Sequence, residues 1–254
     1  MNSQEIYKEL RRYFEDAGFN LLVKIKSSEY DGAAAGKMTS SDFVGDAKSI
    51  ILAGFAGSDF WKVFNRFLDN NPDFKEKYED PIDSYSSLTF GRLSGILRAE
   101  DGIRYKSVFP FGRGALDIDF VKLGALGGVG VPSLLRILLN PEYGTWFSMR
   151  GAVITNLEFD EYDKPLSSFD PCRGCARPCI TSCPAHTVSE RGWDWEACMK
   201  FRIGDDTCLK KCVLRLACPY GKEHVYSGEQ IEHHYGFVLK SVIEYFTKEA
   251  AKSK

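Results

Sequence analysis

All eight cysteines of the chain lie between Cys172 and Cys218, in two runs. The first is Cys172-x2-Cys175-x3-Cys179-x3-Cys183-Pro184, and the second is Cys198-x9-Cys208-x3-Cys212-x5-Cys218-Pro219. Each run ends in Cys-Pro, and eight thiolates are the number that two 4Fe–4S clusters need. Short spacings let three thiolates of one loop face three irons of a cubane. The cysteine before proline is redirected and, in two-cluster ferredoxins, serves the other cluster. This logic predicts one cluster on Cys172, Cys175, Cys179 and Cys218, and a second on Cys183, Cys198, Cys208 and Cys212. The ferredoxin run places two residues between its second and third cysteines, whereas this chain has Ala176, Arg177 and Pro178 there. The second run is looser still. A pair of four-cysteine zinc knuckles uses similar spacings and stays open as an alternative. Nearby basic residues (Arg173, Arg177, Lys200, Lys210, Lys211 and Arg215) can offset cluster charge, dock a donor, or simply form a solvated face.

These loops need elements to hold them. The first two-thirds of the sequence alternates helix and strand signals, predicting an α+β fold rather than a helical bundle. Ser49 to Phe55 reads as a buried strand, and Ser58 as the N-cap of a helix burying Phe60, Phe64, Phe67 and Leu68. A helix is expected over 82–97, a strand over 104–109, a helix from Pro132 to Leu139, and a strand over 146–156. The polar stretch 160–171 suggests a boundary. The expected division is an α/β domain over 1–165, a loop-rich ferredoxin-like module over 166–226 whose stability comes largely from metal ligation, and a carboxy-terminal helix over 227–254, packing back on the body.

A glycine-rich segment precedes the module. Gly124, Gly127, Gly128 and Gly130 leave room for a flat macrocycle to approach the backbone, although a tight turn explains them equally. Trp146 and Phe147 could wall such a pocket or belong to the core. Arg150 could meet a ligand or a carboxylate of its own fold. Asp117 and Asp119 are candidates for proton delivery.

With 33 Lys and Arg against 35 Asp and Glu, the net charge is −2. That balance gives no electrostatic case for nucleic acid, so no nucleic-acid partner is expected. The longest apolar stretch, 121–139, contains Lys122, Pro132 and Arg136 and does not read as a membrane span. No secretory signal is visible, and a reducing cytoplasmic location is expected, which argues against disulfides.

Two resemblances bear on function. Cys172 to Pro219, with the stretch 124–156, resembles the epoxyqueuosine reductases and the corrinoid reductive dehalogenases, which place a cobalamin domain before a two-cluster module. Asp80-Pro81-Ile82-Asp83, Gly91-Arg92 and the run from Asn140 to Ile154 (NPEYGTWFSMRGAVI) resemble the CblC-type cobalamin-processing proteins, whose fold is nitroreductase-like. The resemblance implies a bound cobalamin in a pocket between the domains, with Arg150 where CblC-type proteins engage a thiol co-substrate. Phe111 stands where epoxyqueuosine reductases carry an acidic proton donor, and Phe109 stands where CblC-type proteins place a histidine. The sequence also stops at Lys254, without the helical-repeat tail that epoxyqueuosine reductases use around tRNA. These departures argue against copying epoxyqueuosine reduction onto the chain. The expected function is a corrinoid-linked iron–sulfur oxidoreductase fed by a donor such as ferredoxin or flavodoxin. A ferredoxin-like carrier without corrinoid, and a flavin-dependent reductase, are the alternatives.

Overall fold

The computed structural model describes residues 2–112, 114–115, 117–236 and 243. Contacts divide the chain into two compact units, one of Met1–Val131 with Phe147–Phe169, the other of Pro132–Trp146 with Asp170–Lys254.

The first unit begins with helix α1 (Ser3–Asp16), closed at its start by a reciprocal capping box between Asn2 and Glu5. Ile6, Tyr7, Leu10 and Phe14 recur at helical spacing and turn inward. Strands β1 (Leu21–Lys26), β2 (Ser49–Ala56), β3 (Tyr105–Val108) and β4 (Phe147–Thr155) form an antiparallel sheet in the order β1-β2-β4-β3. All eight residues of β2 are buried. The strand is covered on both faces and therefore reads as a continuous apolar run instead of an alternating one. Ile50, Leu52, Ala152 and Ile154 pack on one side with Ile118, Phe120 and Leu123. An aromatic cluster adds to the core: Phe55 stacks on Phe60 at 3.9 Å, and Phe60 and Phe64 meet the ring of Tyr85.

Two helices supply these rings. Helix α2 (Asp59–Asn70) follows Ser58 and buries Phe60 and Phe64. Helix α3 (Pro81–Gly91) starts with proline at its first position, where no N–H is required, and Asp80 accepts hydrogen bonds from Ile82 and Asp83. Helix α4 (Phe120–Leu126) is capped by Asp119.

The second unit is built of short pieces, including α5 (Trp195–Ile203), α6 (Asp206–Lys210) and α7 (Val213–Ala217). Its apolar cluster centres on Cys183, Val188 and Leu214, with Leu135, Ile180 and Trp193 against it.

Two expectations are corrected. Pro132 to Leu139 is not a helix: the Ser133 hydroxyl donates to the Ile137 carbonyl at 2.7 Å, and Arg136 takes a left-handed φ of 58°. Local serine-to-backbone bonding competes with helix here and turns the chain back. Residues 132–146 also belong with the cysteine-bearing unit and not with the amino-terminal one, because Leu135 and Trp146 find their packing partners there. Residues 228–236 are helical; the rest of the expected carboxy-terminal helix lies outside the described residues.

Candidate functional site

Cys172, Cys175, Cys179 and Cys218 line one pocket, together with Pro178, Pro219 and Tyr220. The local chain explains how. Gly174 and Arg177 both take left-handed backbone (φ 72° and 53°), which curls the loop so that the Arg177 N–H donates to the Cys175 sulfur at 3.3 Å. Pro178 then opens a single helical turn carrying Cys179. Cys218 comes from the other run: Pro219 disfavours helical backbone at Cys218, so α7 ends there with ψ at 130°. Burial pushes the Cys218 thiol above its ordinary value, and Cys179, Cys175 and Cys172 push it further.

A crossing of backbones fixes this position. Gly144 (φ 57°) and Gly221 (φ 69°) lie against one another; a Cβ on Gly144 would stand 2.1 Å from the Tyr220 carbonyl oxygen, and one on Gly221 would stand 2.3 Å from the Tyr143 carbonyl carbon. The turn that presents Gly144 is closed by Asn140, whose side-chain oxygen accepts from the Glu142 and Tyr143 N–H groups.

The other four thiols gather separately. Asp194 caps α5, which carries Cys198, and Asp205 caps α6 by accepting from the Cys208 N–H at 2.8 Å. Burial raises the Cys198 thiol, hydrogen bonds from Trp193 and Thr187 oppose it, and Cys212 and Cys183 raise it again. Cys208 is pushed up to about 12 by burial, by its hydrogen bond to Asp205 and by the charges of Asp205, Cys212 and Cys198. At Cys183 burial is outweighed by the Thr187 hydroxyl and the N–H groups of Thr187, Ala185 and Val188, which hold the thiol below its ordinary value. Two groups of four soft donors suit iron–sulfur ligation. Among the described residues no three Cys, His, Asp or Glu side chains form a single-ion site.

Sequence reading missed Arg202 and Gln230, and named Arg215 only as a nearby basic residue. Arg202 is 5% exposed, and donates from Nε to the Cys208 carbonyl at 2.8 Å and from Nη2 to the Tyr235 carbonyl at 3.0 Å. Its position four residues after Cys198 on α5 was the available signal. Arg215 holds the Thr145 carbonyl and lies 4.4 Å from the Trp146 ring centre. Gln230 is fully buried.

The residues assigned to a cofactor pocket are placed differently. Trp146 is 2% exposed and packed between Arg215 and Tyr226, so it is core of the second unit and no pocket wall. Gly127 and Gly128 are packing glycines: added Cβ atoms would stand 2.7 Å from the Val23 side chain and 2.4 Å from the Lys164 carbonyl. That space is filled by the protein itself and cannot cradle a macrocycle. Gly124 is buried within α4, and Gly130 is buried after it. Phe147 is partly buried and packs against the core cluster of the first unit.

Arg150 owes its position to a break in pairing. Ala53 pairs with Gly151 and Gly54 with Met149, leaving Arg150 as the extra residue of a β-bulge. Glycine is required on both sides, since a Cβ on Gly54 would meet the Ser148 oxygen at 2.3 Å and one on Gly151 the Phe90 ring at 2.7 Å. Bulging aims the guanidinium at α3, where it pairs with Asp83, donates to the Ser86 hydroxyl at 3.2 Å and lies 5.0 Å from the Phe111 ring centre. Burial pushes the Asp83 carboxyl above its ordinary value against the pull of Arg150. Asp119 is engaged as the α4 cap and Asp117 is exposed; the two are not joined with Arg150 by any hydrogen bond among the described residues.

No family model matches the chain. An epoxyqueuosine reductase of Listeria monocytogenes serovar 1/2a (strain ATCC BAA-679 / EGD-e) is 28% identical over 142 residues, 48% of this chain and 34% of that protein. The chain thus spans about a third of that curated relative's length. A solved epoxyqueuosine reductase bound to a tRNA-Tyr epoxyqueuosine-modified tRNA stem loop superposes with a TM-score of 0.59 at 17% identity, over 91% of this chain and 69% of that one. The C. elegans B12-trafficking protein CblC gives 0.59 at 16% identity, covering 91% and 90%. A reductive dehalogenase gives 0.53 at 13%, covering 96% and 36%. The resemblance to these three groups is therefore present in the fold, which is mixed α and β as expected. One expectation is overturned. Exclusion of nucleic acid rested on net charge, yet a protein of this fold is solved with a tRNA stem loop. A whole-chain sum says nothing about local charge. Among the described residues no helix is long and apolar enough to cross a membrane.

Proposed function

We propose that the chain is a corrinoid-linked iron–sulfur reductase working in a reducing compartment such as the cytoplasm. Cys172, Cys175, Cys179 and Cys218 hold one 4Fe–4S cluster, and Cys183, Cys198, Cys208 and Cys212 the other. The observation that carries this reading is the pocket lined by three thiols of the first run and the Cys-Pro thiol of the second. Support also comes from the likeness to an epoxyqueuosine reductase in sequence, and to CblC and a reductive dehalogenase in fold. When bound, the clusters supply one-electron transfer and a corrinoid supplies a strongly reducing cobalt. The chain's own residues then have defined tasks. Ligation requires thiolates, so thiols that burial holds protonated, Cys208 above all, release their protons as metal binds. The Arg150–Asp83 pair ties the bulge of β4 to α3. A donor of the ferredoxin or flavodoxin class delivers the electrons.

Anaerobic reconstitution should give about eight iron and eight sulfide per chain. Added hydroxocobalamin should then change its visible spectrum in a micromolar titration. Flavin quenching without a cobalamin response would favour a flavin reductase, and neither response would reduce the protein to an electron carrier.

A further inference from the structure

Arg202 is a charged side chain in a place that disfavours charge. It is 5% exposed, and it donates to two main-chain carbonyls, those of Cys208 and Tyr235. Its guanidinium also lies 4.6 Å from the Tyr235 ring centre. Burying a guanidinium is expensive unless a negative charge answers it. Cys198, Cys212 and Cys208 lie within electrostatic reach of Arg202, and as cluster-bound thiolates they would supply that charge. The guanidinium is thus bonded to the main chain of one cysteine of the second set, and α5 places Cys198 and Arg202 on one face, four residues apart.

We infer that Arg202 sets the reduction potential of the cluster held by Cys183, Cys198, Cys208 and Cys212, keeping it more positive than those four thiolates alone would. This rests on the two-cluster reading above. Reduction brings one electron from a low-potential donor onto the cluster, with no bond made or broken, so the site gains one negative charge. A fixed positive charge in a low-dielectric setting stabilises that reduced state. Arg202 thereby acts on the electron equilibrium through the cluster and is not itself a catalytic residue.

The test is a dithionite titration of the anaerobically reconstituted full chain, followed by electron paramagnetic resonance, for wild type, Arg202→Gln and Arg202→Lys. Arg202→Gln should leave one midpoint in place and lower the other by at least a tenfold change in its equilibrium constant, 59 mV for one electron. Arg202→Lys, which keeps the charge but loses the fork, should stay within that interval of wild type. If Arg202→Gln loses the second cluster while Arg202→Lys keeps it at the wild-type potential, the charge is still what matters. An unmoved midpoint in Arg202→Gln, an equal shift in both variants, or loss of the cluster from both would make Arg202 a mere clasp and overturn the inference. A wild-type chain with only about four iron would instead sink the two-cluster reading, and the inference with it.

Discussion

Gly144→Ala probes the backbone crossing that holds Cys218. The native φ of 57° is left-handed, and an L-residue there costs about 1–2 kcal/mol. The added Cβ would also stand 2.1 Å from the Tyr220 oxygen and 2.5 Å from the Tyr220 carbonyl carbon. Both are backbone atoms and cannot swing aside as a side-chain tip could, so overpacking adds about 1–3 kcal/mol. Together these give about 2–5 kcal/mol, concentrated in the second unit. At about 4–8 °C per kcal/mol for a unit of this size, the thermal midpoint of the anaerobic holoprotein should fall by at least ~8 °C. Tyr220 lines the pocket with Cys218, so iron should be lost from the first thiol set before the second. Gly221→Ala presses on the same contact from the other side and should behave alike, and the double variant should fall short of additivity by about 1 kcal/mol because each change already parts the two backbones. Gly228→Ala is the control, since nothing stands within 4 Å of its added Cβ. A Gly144→Ala protein that melts with wild type and retains full iron would refute the reasoning.

Further outcomes follow from other sites. Cys218→Ser should change the same spectral features as Cys172→Ser, and Cys183→Ser the same as Cys212→Ser; pairing by run instead would contradict the crossed assignment. Trp146→Ala should destabilise by about 3–5 kcal/mol in chemical denaturation, as expected for a buried indole, and lost cobalamin binding at unchanged stability would return it to a pocket. Gly127→Ala should cost about 1–3 kcal/mol by pressing on Val23 and Ile25. For Asp83, the folded carboxyl binds its proton more tightly than the unfolded chain does, since burial raises it above the ordinary 3.8. Stability relative to Asp83→Asn should therefore fall as pH rises from near 3.8 through the raised folded value. Urea midpoints across that window decide it, and a rise would show that Arg150 outweighs burial.

The sequence made some of this legible for identifiable reasons. An apolar run as dense as Ser49 to Phe55 has few homes other than a strand covered on both faces. The meeting of Cys218 with Cys172, Cys175 and Cys179 could be foreseen because proline redirects the chain in a way that spacing reveals. The glycines misled, because glycine reports that something approaches the backbone and not what approaches. At 127 and 128 the visitor is the protein's own Val23 and Lys164. Arg150 hides in a strand pattern because a bulge is a fact about pairing, and its partner strand lies about a hundred residues upstream. Residues 132–146 read as part of the amino-terminal domain because apolar content fixes that a segment is buried but not in which unit.

On the proposed crossed assignment of the two cysteine runs, the order of synthesis matters. The first thiol set is incomplete until residue 218 has been synthesised, and the second until residue 212, although their earliest members are residues 172 and 183. Neither site can close on a nascent chain as its own loop emerges. Loading would then wait for both runs, and the earliest thiols would stay open to oxidation until the last is made.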